Sequence, residues 1–155
     1  EQQSKAELMN QNCGMAVLMD VGMDFGIHPR KKYQAGMRLA LLALDKTYGV
    51  EGLTSESAYY DKMEIKGDTA VISFKRADMW IYGAKGYKSD LFEIAGEDRI
   101  FHPAKAWIER SKVYVKCDSV KTPVAVRYAF KDWADGDLFC DGLPISSFRT
   151  DNWDE

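Results

Sequence analysis

Lys62-Met63-Glu64-Ile65-Lys66-Gly67-Asp68-Thr69-Ala70-Val71-Ile72-Ser73-Phe74-Lys75 reads as two strands and a tight turn. Met63 and Ile65 alternate with charged neighbours, and Ala70, Ile72 and Phe74 share one face on the return. Gly67-Asp68 between them has the composition of a two-residue hairpin loop. The plan recurs downstream. Ala106 and Ile108 alternate with Lys105, Trp107 and Glu109, and Ser111 to Cys117 returns. Thr122 to Phe130 places Val124, Val126, Tyr128 and Phe130 on one side, and Ser89 to Ala95 is a further strand. Six or more short strands at regular spacing predict an antiparallel β-sandwich with a C-terminal tail over residues 60–155.

Residues 1–49 have a different period. Met37, Ala40, Leu41, Leu44 and Tyr48 recur at helical spacing, so a helix is expected from about Lys31 to Tyr48. Arg38, Asp45 and Lys46 lie off that stripe. Pro29 suits the first helical position and Gly49 the C-terminal cap. The run Met15 to Met19 is almost wholly apolar, as expected of a strand buried on both faces. Glu1 to Met9 reads as the tail of a helix without a capping signal, as in a chain that begins mid-domain. The polar, turn-rich stretch 50–59 is the expected linker. One buried strand cannot pair both its edges alone, so residues 1–49 should dock on a second chain that supplies the N-terminal part of the catalytic domain, or derive from a cleaved or truncated protein.

Composition narrows the function. An apolar content of 46% with 29% charged residues is that of an ordinary globular protein. A net charge of −3 without basic blocks gives no reason to expect nucleic acid or an anionic membrane. No apolar run approaches the ~20 residues of a membrane span. Cys13, Cys117 and Cys140 form no Cys-x-x-Cys, and the two histidines lie far apart, so no structural zinc site is expected. Cys117 falls on the apolar side of a strand and reads as a buried thiol.

The residue that carries chemistry is His28. Ile27-His28-Pro29-Arg30 follows an apolar run and a glycine-bearing loop and precedes a helix, a junction where a scaffold can expose a general base. A catalytic histidine needs an acceptor on its other ring nitrogen, and Asp24 and Asp20 are the local candidates, with a backbone carbonyl as the alternative. The nucleophile is missing. Neither Gly-x-Ser-x-Gly nor Gly-Asp-Ser occurs, and Gly67-Asp68-Thr69 sits in a hairpin turn. Two other stretches read more plainly as structure. Asp132 to Asp137 is rich in carboxylates but lacks the spacing and closing Glu of a calcium loop. Trp80 to Tyr87 offers aromatic faces that stack on sugars, yet equally suits a packed sheet edge.

Several strings together resemble a family. Gly14-Met-Ala-Val-Leu-Met-Asp-Val-Gly22, Ile27-His-Pro-Arg-Lys-Lys32 and Gly36 to Gly49 look like the end of the catalytic domain of sialate O-acetylesterases, SGNH-type serine esterases. Phe92 to Glu97, Pro103 to Ala106, Pro123 to Ala129 and Gly142-Leu-Pro-Ile-Ser-Ser-Phe-Arg-Thr-Asp-Asn-Trp153 resemble that family's C-terminal tail. The resemblance implies the C-terminal piece of a flavodoxin-like α/β domain followed by an immunoglobulin-like β-region. It assigns His28 as the catalytic histidine and places the nucleophilic Ser and oxyanion-hole Gly and Asn upstream. It implies an acetylated sugar as substrate, no cofactor, and a secreted, periplasmic or lysosomal setting. Acetylxylan or another sugar ester is the alternative substrate, and a non-catalytic carbohydrate-binding or scaffolding fragment the alternative role. In one respect the chain departs from the pattern. The family often offers an acid three places before the histidine, where this chain has Phe25.

Overall fold

The computed structural model describes residues 1–153. Its first hairpin forms as expected. β1 (Tyr59–Lys66) and β2 (Thr69–Lys75) pair antiparallel, with Lys66 opposite Thr69 at the turn. Gly67 turns the chain at φ 64°, a left-handed conformation that glycine adopts without steric cost. Ala70 and Ile72 are fully buried. β3 (Ile81–Gly83) and β4 (Lys88–Ser89) follow, then β5 (Phe92–Ala95), β6 (Phe101–Pro103), β7 (Lys105–Glu109) and β8 (Lys112–Lys116). β9 (Ala125–Tyr128), β10 (Leu138–Cys140), β11 (Leu143–Pro144) and β12 (Phe148–Arg149) complete the set.

These strands form three antiparallel sheets around one core. Their orders are β1-β2-β8-β7-β4, β12-β9-β5-β6 and β11-β10-β3. Ile72, Val113 and Val115 enter the core from the first sheet, Ile94 and Val126 from the second, and Leu138 from the third. The run Ser89 to Ala95 is therefore not one strand. The chain leaves the first sheet at Ser89 and enters the second at Phe92, because both ends are buried in the same core from different sides. The strand expected over Thr122 to Phe130 is also shorter, and Val124 is 36% exposed.

Tyr128 lies at the centre. Its ring packs on Phe92 and Phe148. Its hydroxyl accepts from the Asp137 and Leu138 backbone N–H groups (3.0 and 2.9 Å) and donates to Asp137 Oδ1 at 3.2 Å. Ser89 Oγ donates to the same carboxylate oxygen at 2.8 Å. Burial raises the Asp137 carboxyl above its ordinary range, partly offset by the bonds from Ser89 and Tyr128. The tail is fastened separately. Arg127 donates to both oxygens of Asp151 at 3.0 Å. Burial of Asp151 pushes its carboxyl upward, but the Arg127 guanidinium outweighs it and holds the group below its usual range.

Two helices precede the sheets. α1 (Gln2–Met9) matches the expected helical tail, and no residue of it is buried. α2 (Lys32–Lys46) ends at a glycine turn, with Gly49 at φ 65° and the Val50 N–H on Leu44 O. Three expectations need correction. Pro29 lies outside α2, so it is not the first helical residue and His28 does not flank the N-cap, which is Lys31. Met15–Met19 forms no strand and ends in a turn at Met19-Asp20, so it joins none of the described sheets. The apolar stripe of α2 faces outward: Met37, Leu44 and Tyr48 are 37, 40 and 75% exposed, whereas Arg38 and Leu42 are buried.

Ion pairs tie the N-terminal elements to the β-region. Arg76, just past β2, reaches Glu56 at 2.9 Å and Glu7 of α1 at 3.3 Å, and Lys46 of α2 reaches Glu56 at 2.7 Å. These partly exposed pairs fix orientation more than they add stability. All three cysteines are free. Burial pushes the Cys140 thiol up to about 11, which leaves it protonated and inert. No described helix is long and apolar enough to cross a membrane.

Candidate active-site loop

The loop from Val21 to Lys31 carries His28, and its two ends meet at Asp20. Arg38 of α2 donates to Asp20 Oδ1 and Oδ2 at 2.6 and 2.7 Å. The same guanidinium donates to Val17 O at 2.8 Å, and Lys31 Nζ donates to Asp20 O at 3.0 Å. Arg38 is 4% exposed, so this bidentate pair is largely out of water, where charge-assisted bonds are strong and directional. Asp20 is thus a clamp. Its carboxylate holds the entrance of the loop on α2, and its carbonyl holds the exit.

Between those ends the loop is open. Gly26 takes φ 83°, a turn that a side chain would strain. Phe25 and Ile27 are 72 and 87% exposed. His28 and Asp24 are exposed as well, and neither makes a side-chain hydrogen bond among the described residues. The imidazole is therefore unengaged, with Asp24 four residues away on the same loop. The structure brings Asp20 to Arg38 and leaves Asp24 unengaged.

A second wall comes from the β-region. Gly136 N–H donates to Met19 O at 2.9 Å, and Ser147 N–H reaches Met19 Sδ at 3.0 Å. A Cβ on Gly136 would lie 2.9 Å from Met19 Cβ, so only glycine permits this approach. The connection from β9 to β10 thereby lies against the root of the His28 loop. Trp133 of that connection has its Nε1 3.9 Å from where a Cβ on Gly22 would stand. The carboxylates of Asp132 to Asp137 do not converge, and no described group of three His, Cys, Asp or Glu is placed to hold a metal.

Sequence reading missed Arg38 and Trp133. Arg38 lies off the apolar stripe together with Asp45 and Lys46, so nothing local marked it for burial. Nothing local to Trp133 marks its approach to the Gly22 position.

No family model and no curated protein matches this sequence. A solved structure does. It is a carbohydrate acetylesterase from Xanthomonas citri. The two chains are 39% identical and superpose with a TM-score of 0.89 over 97% of this chain. The match covers 35% of the Xanthomonas protein, so this chain spans about a third of that enzyme's length.

Proposed function

We propose that this chain is the C-terminal portion of a serine-dependent carbohydrate O-acetylesterase and supplies its catalytic histidine, His28. The observation that carries the reading is the placement of His28. It sits exposed on a loop clamped at both ends, in a chain 39% identical to a carbohydrate acetylesterase over nearly its whole length. Residues 1–49 are then the last piece of a flavodoxin-like SGNH domain, and residues 60–155 an immunoglobulin-like appendage. The outward apolar stripe of α2 fits a surface that the rest of that domain covers.

In the assembled enzyme a serine outside these residues attacks the acetyl carbonyl while His28 takes its proton. The tetrahedral intermediate collapses, His28 protonates the departing sugar oxygen to a hydroxyl, and an acetyl-serine remains. Water, deprotonated by His28, then releases acetate and restores the serine. Asp24 is the acid that orients the imidazole, since both carboxylate oxygens of Asp20 are engaged by Arg38. The substrate is an O-acetylated sialic acid or related sugar, with acetylated xylan as the alternative. A secreted, periplasmic or lysosomal setting goes with such substrates.

Acetate release from O-acetylated sialic acid and from acetylated xylan, measured side by side with the assembled enzyme, tests this. Turnover of at least one sugar ester is expected, and the preferred one names the substrate. Cleavage of p-nitrophenyl acetate with neither sugar ester touched would overturn the carbohydrate assignment.

A further inference from the structure

Trp133 is one of the exposed aromatic residues of the β-region, with Trp80 and Tyr87. Among the described residues its ring stacks on no other ring and its Nε1–H has no acceptor, and it is 49% exposed. By contrast the Trp107 indole stacks on Tyr114 and donates to Glu109. Yet the position of Trp133 is tightly determined. The close Gly136–Met19 contact pins its loop, and the indole Nε1 stands 3.9 Å from where a Cβ on Gly22 would lie, at the start of the loop that carries His28. A half-open indole combines a flat apolar face with one donor at its edge. A pyranose ring offers the complement, a face of C–H groups edged by hydroxyls. The exposed carboxylates of Asp132 and Asp135 on the same loop add acceptors for those hydroxyls.

We propose that Trp133 is a sugar-binding residue of the esterase site, its ring face stacking on the pyranose that carries the acetyl group and its Nε1–H donating to a hydroxyl. This rests on the reading of His28 as the catalytic base. The β-region then takes part in substrate selection. Its loop, pinned at Gly136, sets where the sugar lies relative to the imidazole. Gly136 is accordingly a positioning residue, because a methyl there collides with Met19 and shifts the loop.

The test compares kcat/KM for an acetylated oligosaccharide with that for p-nitrophenyl acetate, which has no sugar, in the assembled enzyme. Trp133→Ala should lower the ratio of the two by about tenfold or more, chiefly through KM for the sugar. Trp133→Phe keeps a stacking face and loses the donor, so its ratio should fall between alanine and wild type. Gly136→Ala should move the ratio in the same direction. A ratio within about twofold of wild type for Trp133→Ala overturns the proposal. If Trp133→Ala fails to fold by its thermal midpoint, Trp133→Phe decides, and an unchanged ratio for it is equally contrary. His28→Ala separates the two claims. If that variant stays active, the catalytic reading and this inference fall together. If it is inactive while the Trp133 ratio holds, this inference alone fails.

Discussion

Replacing His28 with alanine in the assembled enzyme is expected to lower kcat by at least ~10³, as loss of a triad base typically does. The expectation follows from role and placement. A serine hydroxyl is a weak nucleophile until a base takes its proton, and His28 is the exposed imidazole on the clamped loop. KM for the sugar ester should change much less, because a general base acts on the reacting atoms and not on substrate binding. The change should also be silent in folding. His28 makes no side-chain hydrogen bond among the described residues and is exposed, so the thermal midpoint of the variant chain should match wild type. A variant that keeps more than a tenth of wild-type kcat places the base elsewhere.

Arg38→Met is expected to destabilise the chain by about 3 kcal/mol, the scale for stranding one partner of a buried ion pair. It leaves the Asp20 carboxylate without its two bonds and Val17 O without a donor. Both ends of the His28 loop meet at Asp20, so the loop loosens as well. Asp24→Asn should behave in the opposite way. Asp24 is exposed and unengaged, so stability should move by less than about 0.5 kcal/mol. The kcat of the assembled enzyme should fall far more than tenfold, because an asparagine neither fixes the tautomer nor stabilises the imidazolium. Denaturant midpoints for the two chains, read beside kcat, separate clamp from acid. An Asp24→Asn enzyme with nearly full kcat would point to a Ser–His dyad or a backbone acceptor.

The hairpins were legible because their information is local. Gly67-Asp68 specifies the turn, and the alternation on either side specifies which face is buried. β7 and β8 follow for the same reason. β3, β10, β11 and β12 are two or three residues long, too short to show a period, and their places are set by a core assembled from distant segments. The split between β4 and β5 was hidden likewise, since Ser89 to Ala95 is one apolar-rich run and only tertiary packing breaks it at Asp90-Leu91. In α2 the helix was readable and its orientation was not. The stripe of Met37, Leu44 and Tyr48 marks an apolar face, and the natural inference is that it packs inward, but among the described residues it faces outward. His28 could be found from Ile27-His28-Pro29 after an apolar run. The engagement of Asp20 could not, because its partner Arg38 lies in α2 and looked like a surface charge.

The central claim is that these residues deliver a histidine to an esterase site completed by a serine that lies outside them. The most direct test is acetate release, with p-nitrophenyl acetate as substrate, by the purified 155-residue chain and by the enzyme that includes the rest of the catalytic domain. The isolated chain should match its own His28→Ala variant, with no saturable turnover, while the assembled enzyme turns over and loses that activity on His28→Ala. Saturable hydrolysis by the isolated chain, abolished by replacing one of its own serines, would contradict the account.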